Sequence, residues 1–180
     1  MTHVKKIVYI AIFSALIAVC SMIQIPYVIP FTLQTFAVFL TLLCIGGKLG
    51  TISIIVYILL GIVGLPVFSG FTAGIRVIMS QTGGYILGFA LVGIVYMIFE
   101  KIKFKFNDIV SLLIGLILLY ISGTVWFVFV ASNPNGVGFA QALMTCVVPF
   151  VIPDLIKLAL AVFIQRKLIE TKAFKTLKSQ

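Results

Sequence analysis

The sequence predicts an all-α integral membrane protein: six transmembrane helices in a compact bundle, both termini cytoplasmic, with a ligand pocket near the outer face. Three observations carry this. Of 180 residues, 62% are hydrophobic and 9% are charged, far beyond the apolar share of a soluble domain. The apolar residues gather into runs of roughly membrane-crossing length. The basic residues flank those runs on alternate connections, as topology signals do. The length fits a single domain over residues 1–180.

The first span is residues 7–25, about 28 Å of helix. MTHVKK followed by IVYIAIFSALIAVCSMI imitates a secretory signal. Its apolar run is too long for a cleaved segment and lacks a small-x-small cleavage site, so an uncleaved first helix is expected. Pro26 and Pro30 end it. The second span, 31–45, is short and is broken by GGKLG; the third is 49–65. GLPVFSGFTAGIRVIMSQTGG follows. It is too apolar for a solvent loop, and irregular backbone at membrane depth must be shielded by protein, so a partly helical cover on the bundle is expected. The fourth span is 83–99, the fifth 109–130 and the sixth 149–168, with a short helix in VGFAQALMTCVV before the last.

Charge placement tests this count. With a cytoplasmic N-terminus, Lys5, Lys6, Lys48, Lys101, Lys103, Lys105, Arg166, Lys167, Lys172, Lys175 and Lys178 all fall inside. Arg76 and Lys157 alone fall outside, the asymmetry expected of a multi-pass protein. The formal charge of +9 therefore reflects topology, and nucleic acid is not an expected partner. The lipid bilayer is. The cysteines, Cys20, Cys44 and Cys146, are too scattered for a metal site and read as packing residues.

Asp154 and Lys157 are the chemical anomaly. They stand three residues apart on one face of the sixth helix, near its outer, positive end, with Pro153 at the first helical position. A structural ion pair closing the bundle is one reading. The other is a ligand site, because ionisable residues inside a membrane usually face a cavity. Arg76, in the glycine-rich outer region, is a carboxylate-binding fork or a headgroup anchor. The three outer charges sum to +1, which suits a small solute with one carboxylate and a polar group. Gln34 is costly to bury unsatisfied; its neighbour Thr32 is a helix cap or a ligand contact. Gln81, Gly83, Gly84 and Tyr85 offer polar contacts, close backbone approach and a flat wall. Gly84 and Gly88 also form a small-xxx-small packing surface. Trp126 is an interfacial anchor or a pocket wall. Ala11 and Ala15, four apart on the first helix, allow close approach of another helix or subunit.

No phosphate-binding loop, zinc-protease motif or nucleophile elbow is present, so an enzyme is not expected and ATP would be hydrolysed elsewhere. Six helices without a clear internal repeat are few for an autonomous alternating-access carrier.

In this order, PFTLQTF, GLPVFSGF, TGGYILGF, SGTVWF and PFVIPDLIKLAL make the chain resemble the BioY family. Its members are the biotin-specific substrate-binding subunits of energy-coupling-factor transporters. The resemblance covers nearly the whole chain. It implies high-affinity biotin capture at the outer side, in a bacterial or archaeal cell membrane. It implies partnership with a transmembrane coupling subunit and two cytoplasmic ABC-type ATPases, with no cofactor beyond the transported ligand. The family's Asp-x-x-Lys falls on Asp154 and Lys157, and its docking Ala-x-x-x-Ala on Ala11 and Ala15. Many relatives read Gly-Pro-Thr-Gly-Gly where this chain has Ser80-Gln81-Thr82-Gly83-Gly84. On the residues alone, an autonomous carrier or channel for a small monoanionic solute and a membrane scaffold stay open.

Overall fold

A computed structural model describes residues 2–102, 106–131 and 138–170. Lys103, Lys105, Lys172, Lys175 and Lys178, used above as inner charges, lie outside them. The chain runs through α1 (His3–Met22), β1 (Gln24–Ile25), β2 (Phe31–Thr32), α2 (Gln34–Val63), a 3-10 turn (Ser69–Phe71) and α3 (Ile75–Ile78). It continues with α4 (Gly83–Phe99), α5 (Asn107–Ala131), α6 (Phe139–Cys146) and α7 (Val148–Glu170). His3–Met22, Gln34–Val63, Asn107–Val130 and Val148–Leu168 are long and apolar enough to cross a membrane, and Gly83–Phe99 is a shorter apolar helix.

The expected second and third spans are both in α2, and the helix is bent back on itself. Gly46 has φ 79° and ψ 169°, a conformation that costs glycine little and other residues a great deal. A β-carbon at Gly50 would lie 3.2 Å from Leu42 Cα, whereas a straight helix would separate these residues by about 12 Å. The element is therefore a helical hairpin, with limbs 34–45 and 47–63. Glu100, just after α4, accepts the Gly47 N–H at 2.8 Å, satisfying an amide that starts the second limb with no intrahelical partner. The sequence placed the break correctly and the second helix start three residues too early. Phe31 and Thr32 instead pair with Ile25 and Gln24 in a small antiparallel ribbon.

The first limb is the centre of the bundle. Ala37, Val38, Phe39 and Leu42 are fully buried, because this limb is apolar all round and has neighbours all round. Buried hydroxyls bond to carbonyls within or between helices. Thr41 donates to Ala37 O, Thr51 to Gly47 O, and Ser14 to Ser53 O, tying α1 to the second limb. The helices α4 and α5 pack along most of their length. Gly88 packs on Leu119 and Ser122, and Gly115 on Val92, the small-residue approach available where lipid supplies no hydrophobic drive.

The glycine-rich region is the expected cover, held by a Phe68–Thr72 bridge, the 3-10 turn and α3. The Phe68 ring occupies the space a side chain at Gly61 would need and meets Tyr57 edge-on at 5.6 Å.

Candidate functional site

Between this cover, the β-ribbon and the adjoining ends of α2, α4, α5, α6 and α7 lies a cavity of about 420 Å³. That volume is in the range of small-molecule sites. Asp154 and Lys157 line it from α7, Tyr120 from α5, Tyr85 and Phe89 from α4, Gln34 from α2 and Arg76 from α3.

Asp154 is 3% exposed. Lys157 Nζ lies 2.8 Å from its Oδ1, and the Tyr120 hydroxyl donates to Oδ2 at 2.8 Å. Each carboxylate oxygen thus receives one charge-assisted hydrogen bond, the compensation a buried charge requires. Each also keeps acceptor capacity. The helix gives less help than its expected start implied. It begins at Val148, so Pro153 is inside it rather than at its first position. Asp154 then lies beyond the first turn, where the helix dipole acts most strongly. Pro153 also has no N–H for the Pro149 carbonyl, leaving a missing rung beside Asp154.

Gln34 is buried and donates to the Tyr57 hydroxyl at 3.1 Å. The Thr32 hydroxyl accepts the Gln34 N–H at 3.3 Å and lines the cavity. The Tyr85 hydroxyl donates to Cys146 O at 3.4 Å and lies equally far from Thr124 Oγ1, joining α4, α5 and α6. Burial pushes the Cys146 thiol above its ordinary range, with Tyr85 opposing, which keeps it protonated and inert. Arg76 is exposed and has no carboxylate partner among the described residues. The pair cancels itself, so the cavity's uncompensated charge is the Arg76 guanidinium.

Gly83, Gly84 and Gln81 are not among the lining residues. Gly84 packs against Trp126 and Gly83 against the Ile78 carbonyl. Gln81 is exposed between Ser80 and Thr82, which do line the cavity. Trp126 is neither lining nor a simple anchor: its Nε1–H donates to Ser80 O at 3.0 Å, fixing the turn before α4. Ala11 and Ala15 are exposed on α1, with Ile7 and Val8 beside them.

Residues 1–174 match the model of the BioY family. The chain belongs to the BioY family. A probable biotin transporter BioY from Pyrococcus horikoshii is 37% identical over 166 residues, covering 91% of this chain and 96% of that protein. A biotin transporter BioY from Thermotoga maritima is 38% identical over 166 residues, covering 91% and 95%. The crystal structure of an S-component for biotin from an ECF-type ABC transporter superposes with a TM-score of 0.84 at 26% identity, covering 98% of both chains. A second S component of a bacterial ECF transporter, with TM-score 0.62 and 16% identity, shares the fold. BioY family membership makes the chain a multi-pass transport subunit rather than an enzyme.

Two parts of this BioY site were invisible in the sequence. Tyr120 is a tyrosine in an aliphatic span, and nothing local indicates that it meets a residue 34 positions away. The other is an aromatic roof in which Phe150 alone lines the cavity; Phe31 stacks on it with ring centres 4.0 Å apart, and Tyr27 lies 5.5 Å from Phe31. Both phenylalanines border Pro-containing connections, which signalled only helix ends.

Proposed function

We propose that this chain captures biotin at the outer face of the membrane as the substrate-specificity subunit of an ATP-driven energy-coupling-factor importer. The names of its relatives support the ligand. The observation that carries the reading is the buried Asp154–Lys157 pair facing a cavity whose unpaired lining cation, among the described residues, is Arg76. Biotin's ureido ring offers N–H donors to Asp154 and a carbonyl to Lys157. Its valerate carboxylate goes to Arg76, the lining cation with no carboxylate partner among the described residues. Its thioether ring lies against Tyr85 and Phe89, with Gln34 at the edge. Gly83 and Gly84 serve the site by letting the turn at Ser80 and Thr82 pack closely on α3 and α5; Gln81 stands at its exposed rim.

Six crossings follow if α1, both limbs of α2, α4, α5 and α7 each traverse the bilayer as one domain over the whole chain. With the N-terminus cytoplasmic, Lys5, Lys6, Lys48, Lys101, Arg166 and Lys167 are inside, both termini are cytoplasmic and the cavity faces outward. Ala11 and Ala15 then lie on the face of α1 that meets the transmembrane coupling subunit, and two ATPases complete the complex.

The test is titration of the detergent-purified chain with biotin, thiamine and riboflavin. Selective, high-affinity retention of biotin is expected. Preference for another vitamin, or no binding, overturns the ligand. Biotin transport by liposomes containing this chain alone, without ATPases, overturns the subunit role.

A further inference from the structure

We propose that Tyr120 is a positioning residue for ligand recognition, setting the orientation of the Asp154 carboxylate; this rests on the biotin reading above. An aspartate paired only with a lysine three residues along its own helix is poorly constrained. The lysine side chain is long, and the carboxylate can rotate with it. Tyr120 removes that freedom. Its hydroxyl reaches Oδ2 from α5 at 2.8 Å, while Lys157 holds Oδ1 from α7 at 2.8 Å. With one oxygen held from each helix, the plane of the carboxylate is set before ligand arrives. The lone pairs left over can then meet a ligand N–H without reorganisation.

Tyrosine suits this task better than a second cation. It adds a strong hydrogen bond while leaving the cavity's charge unchanged, so Arg76 remains, among the described residues that line the cavity, the cation free for a carboxylate. The bond also links α5 directly to α7 across the cavity; otherwise α5 packs on α4 and α6, and α6 on α7. The element that reads the ligand's donor is thereby referenced to two walls of the cavity.

The experiment is a double-mutant cycle on the full-length purified chain, read by biotin titration. Tyr120→Phe keeps the ring and removes only the hydroxyl, and should weaken biotin binding about tenfold or more. In an Asp154→Ala background, adding Tyr120→Phe should change affinity by less than about twofold, because a residue acting through the Asp154 carboxylate has nothing left to position. Equal losses in both backgrounds would show that the Tyr120 hydroxyl acts independently of Asp154 and overturn the proposal. So would unchanged affinity of the single variant beside a biotin-binding parent. A parent that binds no biotin overturns the functional reading itself, a result visible before any variant is made.

Discussion

The side-chain amide of Gln34 donates a hydrogen bond of 3.1 Å to the hydroxyl oxygen of Tyr57, 23 residues further along the same helical element. A straight helix would hold them about 35 Å apart. The contact exists because α2 folds at Gly46, bringing the start of one limb beside the far part of the other. Gln34 lines the cavity and Tyr57 supports the cover through Phe68, so the bend at one end of the bundle builds the site at the other.

Replacing Gly46 by alanine should therefore be costly. The backbone there has φ 79°, and a β-carbon would lie 2.9 Å from Glu100 Oε1. A loss of about 1–3 kcal/mol is expected, measured as a lower midpoint of thermal unfolding in detergent. An unchanged midpoint would mean that the bend does not need its glycine.

Asp154→Ala and Lys157→Ala should each weaken biotin binding roughly 10- to 100-fold, the worth of charge-assisted hydrogen bonds. Stability should behave differently from affinity. Each single variant leaves one buried charge alone, whereas Asp154→Leu with Lys157→Met removes both. Thermal unfolding of the double variant at or above that of either single one is the expected result.

Phe150→Ala opens the aromatic roof by removing the ring stacked on Phe31. Such a stack contributes about 0.5–1.5 kcal/mol beyond simple burial. Biotin should leave up to about tenfold faster, while its rate of entry changes little. Stopped-flow displacement with excess unlabelled ligand reads both rates. Release at the parent rate would show that the roof does not retain ligand.

Ala15→Trp places a bulky ring on the exposed face of α1, away from the cavity. Biotin affinity of the isolated chain should be unchanged, while uptake by cells supplying the coupling subunit and ATPases should be largely lost. Full uptake would place the docking face elsewhere.

The legible parts of this molecule are those where lipid makes a residue expensive. Asp154 and Lys157 declared themselves because opposite charges inside an apolar run need a reason, and α4 was bounded by Gly83 and Phe99 as expected. The hairpin bend was legible from consecutive glycines, which interrupt helices by their own conformational freedom. What stayed hidden depends on register between helices. Tyr120 meets Asp154, and Gly84 meets Trp126, through rotations of α5 that no local pattern encodes. Ser80 and Thr82 face the cavity while Gln81 does not, a difference decided by a turn too short to show periodicity. Pro153 misled for a related reason: helix-start statistics favour proline, yet α7 had already begun at Val148 and tolerates the missing rung.

Trp126, whose indole N–H holds the carbonyl of Ser80, is the single tryptophan of the chain. Its partner borders the cavity although the indole does not. The fluorophore is thus wired to the binding region through one hydrogen bond and shielded from direct quenching by whatever enters. Shifts in its emission would record movement of the turn itself, giving the protein an internal strain gauge that no added label is needed to read.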